Sequence, residues 1–205
     1  MASNEQLEKY LELARRAREE NNTEDAKKYY DMARTENPDN TEARFFYPYY
    51  RLWESTKGAW YTAYIDFCNS AINIIKSLGK DDEALVPVIF EAVKTLPASA
   101  SKVQADLVNA APNGGKAQYS NQWKHCQRIG VEFLYKMGDA LEKNFAGTNA
   151  AKYAVEAWKQ GVTYHRQWPY CGADKTAVDK YFEKITKTEP DFVLPKKAGC
   201  ITFVK

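Results

Sequence analysis

The side chains of this chain best suited to metal or nucleophile chemistry are two histidines, His125 and His165, and four cysteines, Cys68, Cys126, Cys171 and Cys200. A structural zinc site takes four nitrogen or sulfur ligands, usually signalled by closely spaced cysteine or histidine pairs. No C-x-x-C pair occurs. His125 and Cys126 are neighbours, and adjacent helical side chains point about 100° apart, so they do not naturally share one ion. A set of His125, Cys126, His165 and Cys171 is therefore not expected, and no metal or other cofactor is assigned. Cys171 and His165 could in principle form a nucleophile pair, with Trp168-Pro169-Tyr170-Cys171-Gly172 as a loop that exposes the thiol. Activation needs a base within hydrogen-bond reach, which closeness in sequence does not supply. Asn113-Gly114-Gly115-Lys116 lacks the frame of a phosphate-binding loop. Neither G-x-S-x-G nor H-E-x-x-H is present. Carboxylates such as Glu132 and Asp139 fit solvated helix faces. The chain is expected not to be an enzyme, and a Cys171 enzyme is the remotest reading.

A second group suits recognition. Arg15 and Arg18, with Phe45, Tyr49 and Trp53, combine the residue types that most often anchor interfaces. On one concave helical face they would suit a peptide carrying apolar and acidic residues. Phe45 and Tyr49 would equally fit beneath later helices. Tyrosine is abundant, at 14 residues, and its part-apolar, part-wet ring serves a groove or a helix–helix seam alike.

The net charge of +2 is too small to imply a nucleic-acid or membrane-surface partner. Glu19 and Glu20 lie beside Arg15, Arg16 and Arg18 and partly cancel their field. No apolar run approaches the roughly 20 residues that span a bilayer. Met1–Arg18 has no apolar h-region, so a secretory leader is not expected. With scattered cysteines, this points to reduced thiols and a cytoplasmic setting.

Helices must position these residues. Leu7, Tyr10, Leu11, Ala14 and Ala17 recur at the spacing of an amphipathic helix. Asn21 and Asn22 end it. Thr23 is the expected cap of a second helix carrying Ala26, Tyr30 and Ala33 on one face. Asn37-Pro38-Asp39-Asn40 is a turn. A third helix from Thr41 holds the aromatic row, and its internal Pro48 predicts a kink or a late start. Further helices are expected over 60–78, 82–96, 98–111, 117–145, 149–167 and 175–188. Pro87 falls in the first turn of its helix, and Pro97 ends that helix. Pro112-Asn113-Gly114-Gly115 is the clearest breaker, either a sub-domain boundary or a loop between helices.

Residues 7–40 resemble a tetratricopeptide repeat, a helix–turn–helix of 34 residues. Tyr10, Leu13, Ala14 and Ala17 stand at its first-helix signature positions, Ala26, Tyr30 and Ala33 at its second, and Pro38 at its terminal proline. Small Ala14 and Ala26 allow close helix approach, while Tyr10 and Tyr30 fill the remaining space. The next stretch departs from the pattern at Pro48. The carboxylate-clamp variety of the repeat grips a peptide C-terminus with Lys and Asn, but Leu11 and Arg15 stand at the corresponding positions here. The chain is also similar to a group of bacterial helical-repeat proteins in its Trp53-Glu54-Ser55-Thr56 segment, its long helices, its Glu189-Pro190-Asp191-Phe192 segment and its Lys196-Lys197-Ala198-Gly199-Cys200 segment. Some members of that group carry an N-terminal zinc ribbon, which has no counterpart in these residues.

The resemblance implies an all-α fold of about nine helices, stacked as antiparallel hairpins in a right-handed superhelix. Hairpins over 1–111, a bundle over 117–190 and an extended tail over 191–205 are expected. The function it implies is a protein- or peptide-binding adaptor or scaffold, with no nucleic-acid or membrane partner. A homo-oligomer formed through the aromatic face is the alternative.

Overall fold

A computed structural model describes residues 2–56, 58–112 and 115–197. Every regular element among them is helical. The nine α-helices are α1 (Ala2–Glu19), α2 (Thr23–Glu36), α3 (Thr41–Glu54), α4 (Trp60–Ser77), α5 (Leu85–Val93), α6 (Leu96–Ala110), α7 (Lys116–Phe145), α8 (Lys152–Gln167) and α9 (Ala177–Thr188). Short 3-10 turns occur at Lys80–Asp82 and Asn149–Ala151. The chain divides into two compact units, Met1–Leu78 and Gly79–Lys205. The Pro112 breaker lies within the second unit, where α6 and α7 pack as the two arms of a hairpin.

In the first unit each helix packs against the next. Asn21 turns the chain after α1 with a positive φ of 56°, a conformation asparagine tolerates better than most residues. The cap of α2 is Asn22 rather than Thr23: Asn22 Oδ1 accepts from the Asp25 N–H at 3.2 Å. The same device starts α3, where Asn40 Oδ1 accepts from the Ala43 N–H at 2.9 Å. The packed face of the first hairpin is Leu7, Leu11, Ala14 and Ala17 against Ala26, Tyr30 and Ala33, all buried. Tyr10 and Leu13 are only half-buried, and Pro38 is exposed in its turn. Leu11 therefore takes the core place expected of Tyr10. The late start predicted for α3 does not occur, because the helix begins at Thr41 and runs on through Pro48 to Glu54. An interior proline costs about 3 kcal/mol. Burial of Phe45, Phe46, Tyr50 and Leu52 on the same helix offsets this at roughly 1.5–3 kcal/mol per large side chain.

In the second unit the helix predicted over 82–96 is shorter. Asp82 Oδ2 accepts from the Gly79 N–H at 2.9 Å, closing the 3-10 turn before α5. Pro97 lies in the first turn of α6 rather than simply ending α5, where its missing N–H has no helical partner to lose. Trp123 Nε1 donates to Ser101 Oγ at 2.6 Å and so ties α7 to α6. The helix predicted from Asn149 begins as a 3-10 turn and becomes α-helical at Lys152. The last helix starts at Ala177, not Lys175. Beyond Thr188 the described residues are irregular, and Arg166 Nε holds the Pro195 carbonyl at 2.9 Å. The predicted tail beyond Lys197, with Gly199-Cys200-Ile201, lies outside the described residues.

Two glycines set how closely α7 and α8 approach. A Cβ on Gly138 would fall 2.3 Å from the Trp158 indole, and one on Gly161 would fall 2.7 Å from the Tyr135 ring. Each helix thus receives an aromatic ring from the other in a glycine notch. Tyr181 of α9 then stacks on Tyr135 with ring centroids 4.1 Å apart. Its hydroxyl donates to Asp139 Oδ2 at 2.7 Å, and Lys184 Nζ donates to Asp139 Oδ1 at 2.9 Å. Gly138→Ala should therefore destabilise the protein by about 2 kcal/mol, the scale of overpacking a core. Gly79→Ala, whose Cβ would meet only Asp82 at 3.9 Å, serves as the control. Equal urea midpoints for the two variants would refute the notch.

Candidate functional site

Arg15 and Arg18 point at one carboxylate. Glu42, in the first turn of α3, is only 3% exposed. Arg15 Nε reaches its two oxygens at 3.2 and 3.0 Å, and Arg15 Nη2 donates to Oε2 at 2.6 Å. Arg18 Nη1 donates to Oε1 at 3.3 Å, and Tyr30 Oη donates to the same oxygen at 2.9 Å. Arg18 Nη1 also donates to Tyr30 Oη at 2.7 Å, and its guanidinium lies 4.8 Å over the Phe46 ring. Side chains from α1, α2 and α3 thus meet at one buried anion. The Glu42 hydrogen bond, opposed by some desolvation, holds the Arg15 guanidinium pKa above its ordinary value.

The aromatic row is largely internal. Phe45 is fully buried, edge-on to Phe46 and Phe67. Tyr49 is half-buried between Trp53 and Phe67. Trp53, 36% exposed, is the one large hydrophobe of the first unit that reaches the surface among the described residues. Of the predicted partner face, then, the arginines are engaged by Glu42 and Phe45 belongs to the core.

An open groove of about 930 Å³ lies elsewhere on the first unit. Its floor is α3, through Arg44, Tyr47, Pro48 and Arg51. One wall is the C-terminal end of α2, with Arg34 and Thr35, and the other is α4, with Asp66, Ser70 and Asn73. Arg44, Tyr47, Pro48 and Arg51 stand at i, i+3, i+4 and i+7, the spacing that puts side chains on one helical face. The Arg34 guanidinium lies 4.1 Å over the Tyr47 ring, and that of Arg51 lies 5.8 Å from it. Arg34 also pairs with Asp31 at 2.8 Å. Arg44 and Arg51 have no carboxylate partner among the described residues, although every other arginine of the chain holds a carboxylate or a carbonyl. With Arg34 balanced by Asp31, the guanidiniums of Arg44 and Arg51 against the single lining carboxylate of Asp66 leave the groove electropositive. The sequence did carry this signal, as two arginines seven apart with an aromatic between them. On the same helix Phe45, Tyr49 and Trp53 carry the stronger apolar signal, and Phe45 is buried.

The thiol and imidazole groups are placed against nucleophilic chemistry. His165 is buried, and its Nδ1 lies 3.2 Å from Tyr135 Oη rather than on Cys171. Burial lowers its pKa. Burial raises the Cys171 thiol pKa, the opposite of activation. Cys126 is fully buried, and desolvation pushes its thiol up to about 12. Among the described residues no three His, Cys, Asp or Glu side chains converge as metal ligands, and no helix is long and apolar enough to cross a membrane.

Two outcomes follow. With Cys200→Ser in place, the remaining cysteines Cys68, Cys126 and Cys171, all buried, should alkylate far more slowly in native buffer than in urea. Native labelling of Cys171 at the urea rate would contradict its burial. Burial also raises the Tyr30 hydroxyl pKa, with Glu42 next in effect, and pushes that of Tyr50 up from 10.0 to about 12. The folded state keeps the Tyr50 proton that the unfolded chain releases, so that stabilisation is full below pH 10.0 and falls as the pH rises toward about 12. Tyr50→Phe should therefore lose less urea stability than the parent between neutral pH and pH values above 10.0, and equal losses would contradict the assignment. Known proteins lend the groove no inherited role: comparison found no matching family model, no matching curated protein and no matching solved structure.

Proposed function

We propose that this chain is a non-enzymatic protein- or peptide-binding adaptor whose first unit presents a tetratricopeptide-like helical surface, with the α2–α3–α4 groove as its binding site. The observation that carries the reading is the open electropositive groove, with two floor arginines that pair with no carboxylate among the described residues. Interfaces are enriched in arginine and tyrosine anchors, and this floor has both. The right-handed superhelix and the kinship with bacterial helical-repeat proteins belong to the same proposal. They are supported by the alanine-lined α1–α2 hairpin and the sequential packing of neighbouring helices. A cytoplasmic setting is supported by three buried thiols. The absence of catalysis is supported by the unactivated Cys171 and the tyrosine-engaged His165. Assembly through the aromatic face has less support, because Phe45 and Tyr49 pack among Phe46, Trp53 and Phe67 of their own unit.

Selection from a random-peptide library on the immobilised chain, followed by amide chemical-shift mapping, tests the reading. Selected peptides should shift amides of α3, α4 and the end of α2. Failure to select any peptide, or shifts confined to other surfaces, would contradict it.

A further inference from the structure

We infer that the α2–α3–α4 groove takes an extended acidic peptide segment, with two carboxylates three residues apart seated on Arg44 and Arg51. This rests on the peptide-binding reading above and specifies the ligand that reading leaves open.

The charge argument comes first. Arg44, Arg51 and Arg34 all line the groove, and Asp66 is the one carboxylate among the lining residues. Arg34 is already paired with Asp31 at 2.8 Å, whereas Arg44 and Arg51 are exposed and hold no carboxylate among the described residues. A guanidinium gains most from a carboxylate, which it can meet with two parallel hydrogen bonds. Tyr47 lies between the two along α3 and places its ring within 5.8 Å of the Arg51 guanidinium. That contact restricts the arginine before any ligand arrives.

Spacing comes second. Residues seven apart on a helix are separated by about 10 Å along its axis. Three residues of an extended polyproline-II chain span about 9 Å, close to the same distance. Two acidic side chains at i and i+3 of an extended peptide also have to reach the same way. A polyproline-II chain turns once every three residues, so side chains at i and i+3 leave it on the same side.

The walls favour extended chain over helix. Thr35 Oγ1 donates to the Asp31 carbonyl at 2.9 Å, Ser55 Oγ to the Arg51 carbonyl at 3.1 Å and Ser70 Oγ to the Phe67 carbonyl at 3.0 Å. All three hydroxyls line the groove. Each has its proton directed into its own helix, so toward a ligand it offers lone pairs. Acceptors of that kind match the N–H groups of an extended peptide, which a helical peptide keeps for itself. Asp66 would repel a third carboxylate and so limits the acidic positions.

The test uses three blocked hexapeptides: Ser-Glu-Leu-Ala-Glu-Ser, its spacing variant Ser-Glu-Leu-Glu-Ala-Ser, and its neutral variant Ser-Gln-Leu-Ala-Gln-Ser. Each is titrated into the full chain, and groove amide shifts are followed. The first should bind tightest, with about tenfold loss in the neutral variant and in high salt. The Arg44→Glu/Arg51→Glu double variant should abolish binding while keeping its circular dichroism, since both side chains are exposed. Asp66→Asn should tighten binding. If all three peptides shift the groove equally, the charge and spacing inference fails while the peptide-binding reading stands. If none shifts it and no library peptide does, both fail. If a single-stranded oligonucleotide binds the groove more tightly than the acidic peptide, the inference is overturned in favour of phosphate recognition.

Discussion

A carboxylate taken out of water is the constraint on which the first unit depends. Removing Glu42 from solvent costs several kcal/mol unless its oxygens are fully engaged. They are engaged only when Arg15 and Arg18 of α1, Tyr30 of α2 and the first turn of α3 come together. Hydrophobic packing alone specifies geometry less strictly, since apolar cores tolerate many arrangements before they lose stability. A buried charge that requires four donor groups from two other helices tolerates very few. Glu42 therefore fixes how the first turn of α3 docks on α1 and α2. The positions of Arg44, Tyr47 and Arg51 along the groove floor follow from that docking.

The same helix serves two faces with different chemistry. Toward the core, α3 buries Phe45, Phe46, Tyr50 and Leu52, and their burial outweighs the cost of Pro48. Toward solvent it carries Arg44, Tyr47 and Arg51. The proposed binding site thus rides on a rigid element rather than on a loop, which suits recognition by preset spacing. In the second unit rigidity has another origin. Gly138 and Gly161 admit the Trp158 and Tyr135 rings, and Asp139 with Lys184 secures α9 over them.

Much of this fold was legible in the residues. The apolar spacing of Leu7, Leu11, Ala14 and Ala17, and of Ala26, Tyr30 and Ala33, predicted the first hairpin, and those side chains are buried in it. Where the reading erred, the cause was tertiary or local. Pro48 argued for a kink or a late start, and the late start fails because sequence weighs the lost hydrogen bond and not the four large side chains the helix buries. Asn22 displaced Thr23 as a cap because its amide reaches the Asp25 N–H one residue further back. For the site, Arg15 and Arg18 were recognised as a pair, but sequence could not show that Glu42, far along the chain, would draw them together. The significance of Arg44 and Arg51 is negative and therefore invisible in sequence: among the described residues they are the two arginines without an acceptor. Only folded coordinates disclose which charges are left over.

Hydrogen exchange on Glu42→Gln measures the central claim most directly. The neutral amide keeps the shape of the side chain but removes the charge that gathers both guanidiniums. The substitution should therefore cost about 3 kcal/mol. The account predicts that protection in α1, α2 and the first turns of α3 falls together, because the three helices share one anchor. If protection is lost only at the amides next to residue 42, with α1 and α2 exchanging as in the parent, the buried carboxylate does not organise the unit and the account is wrong.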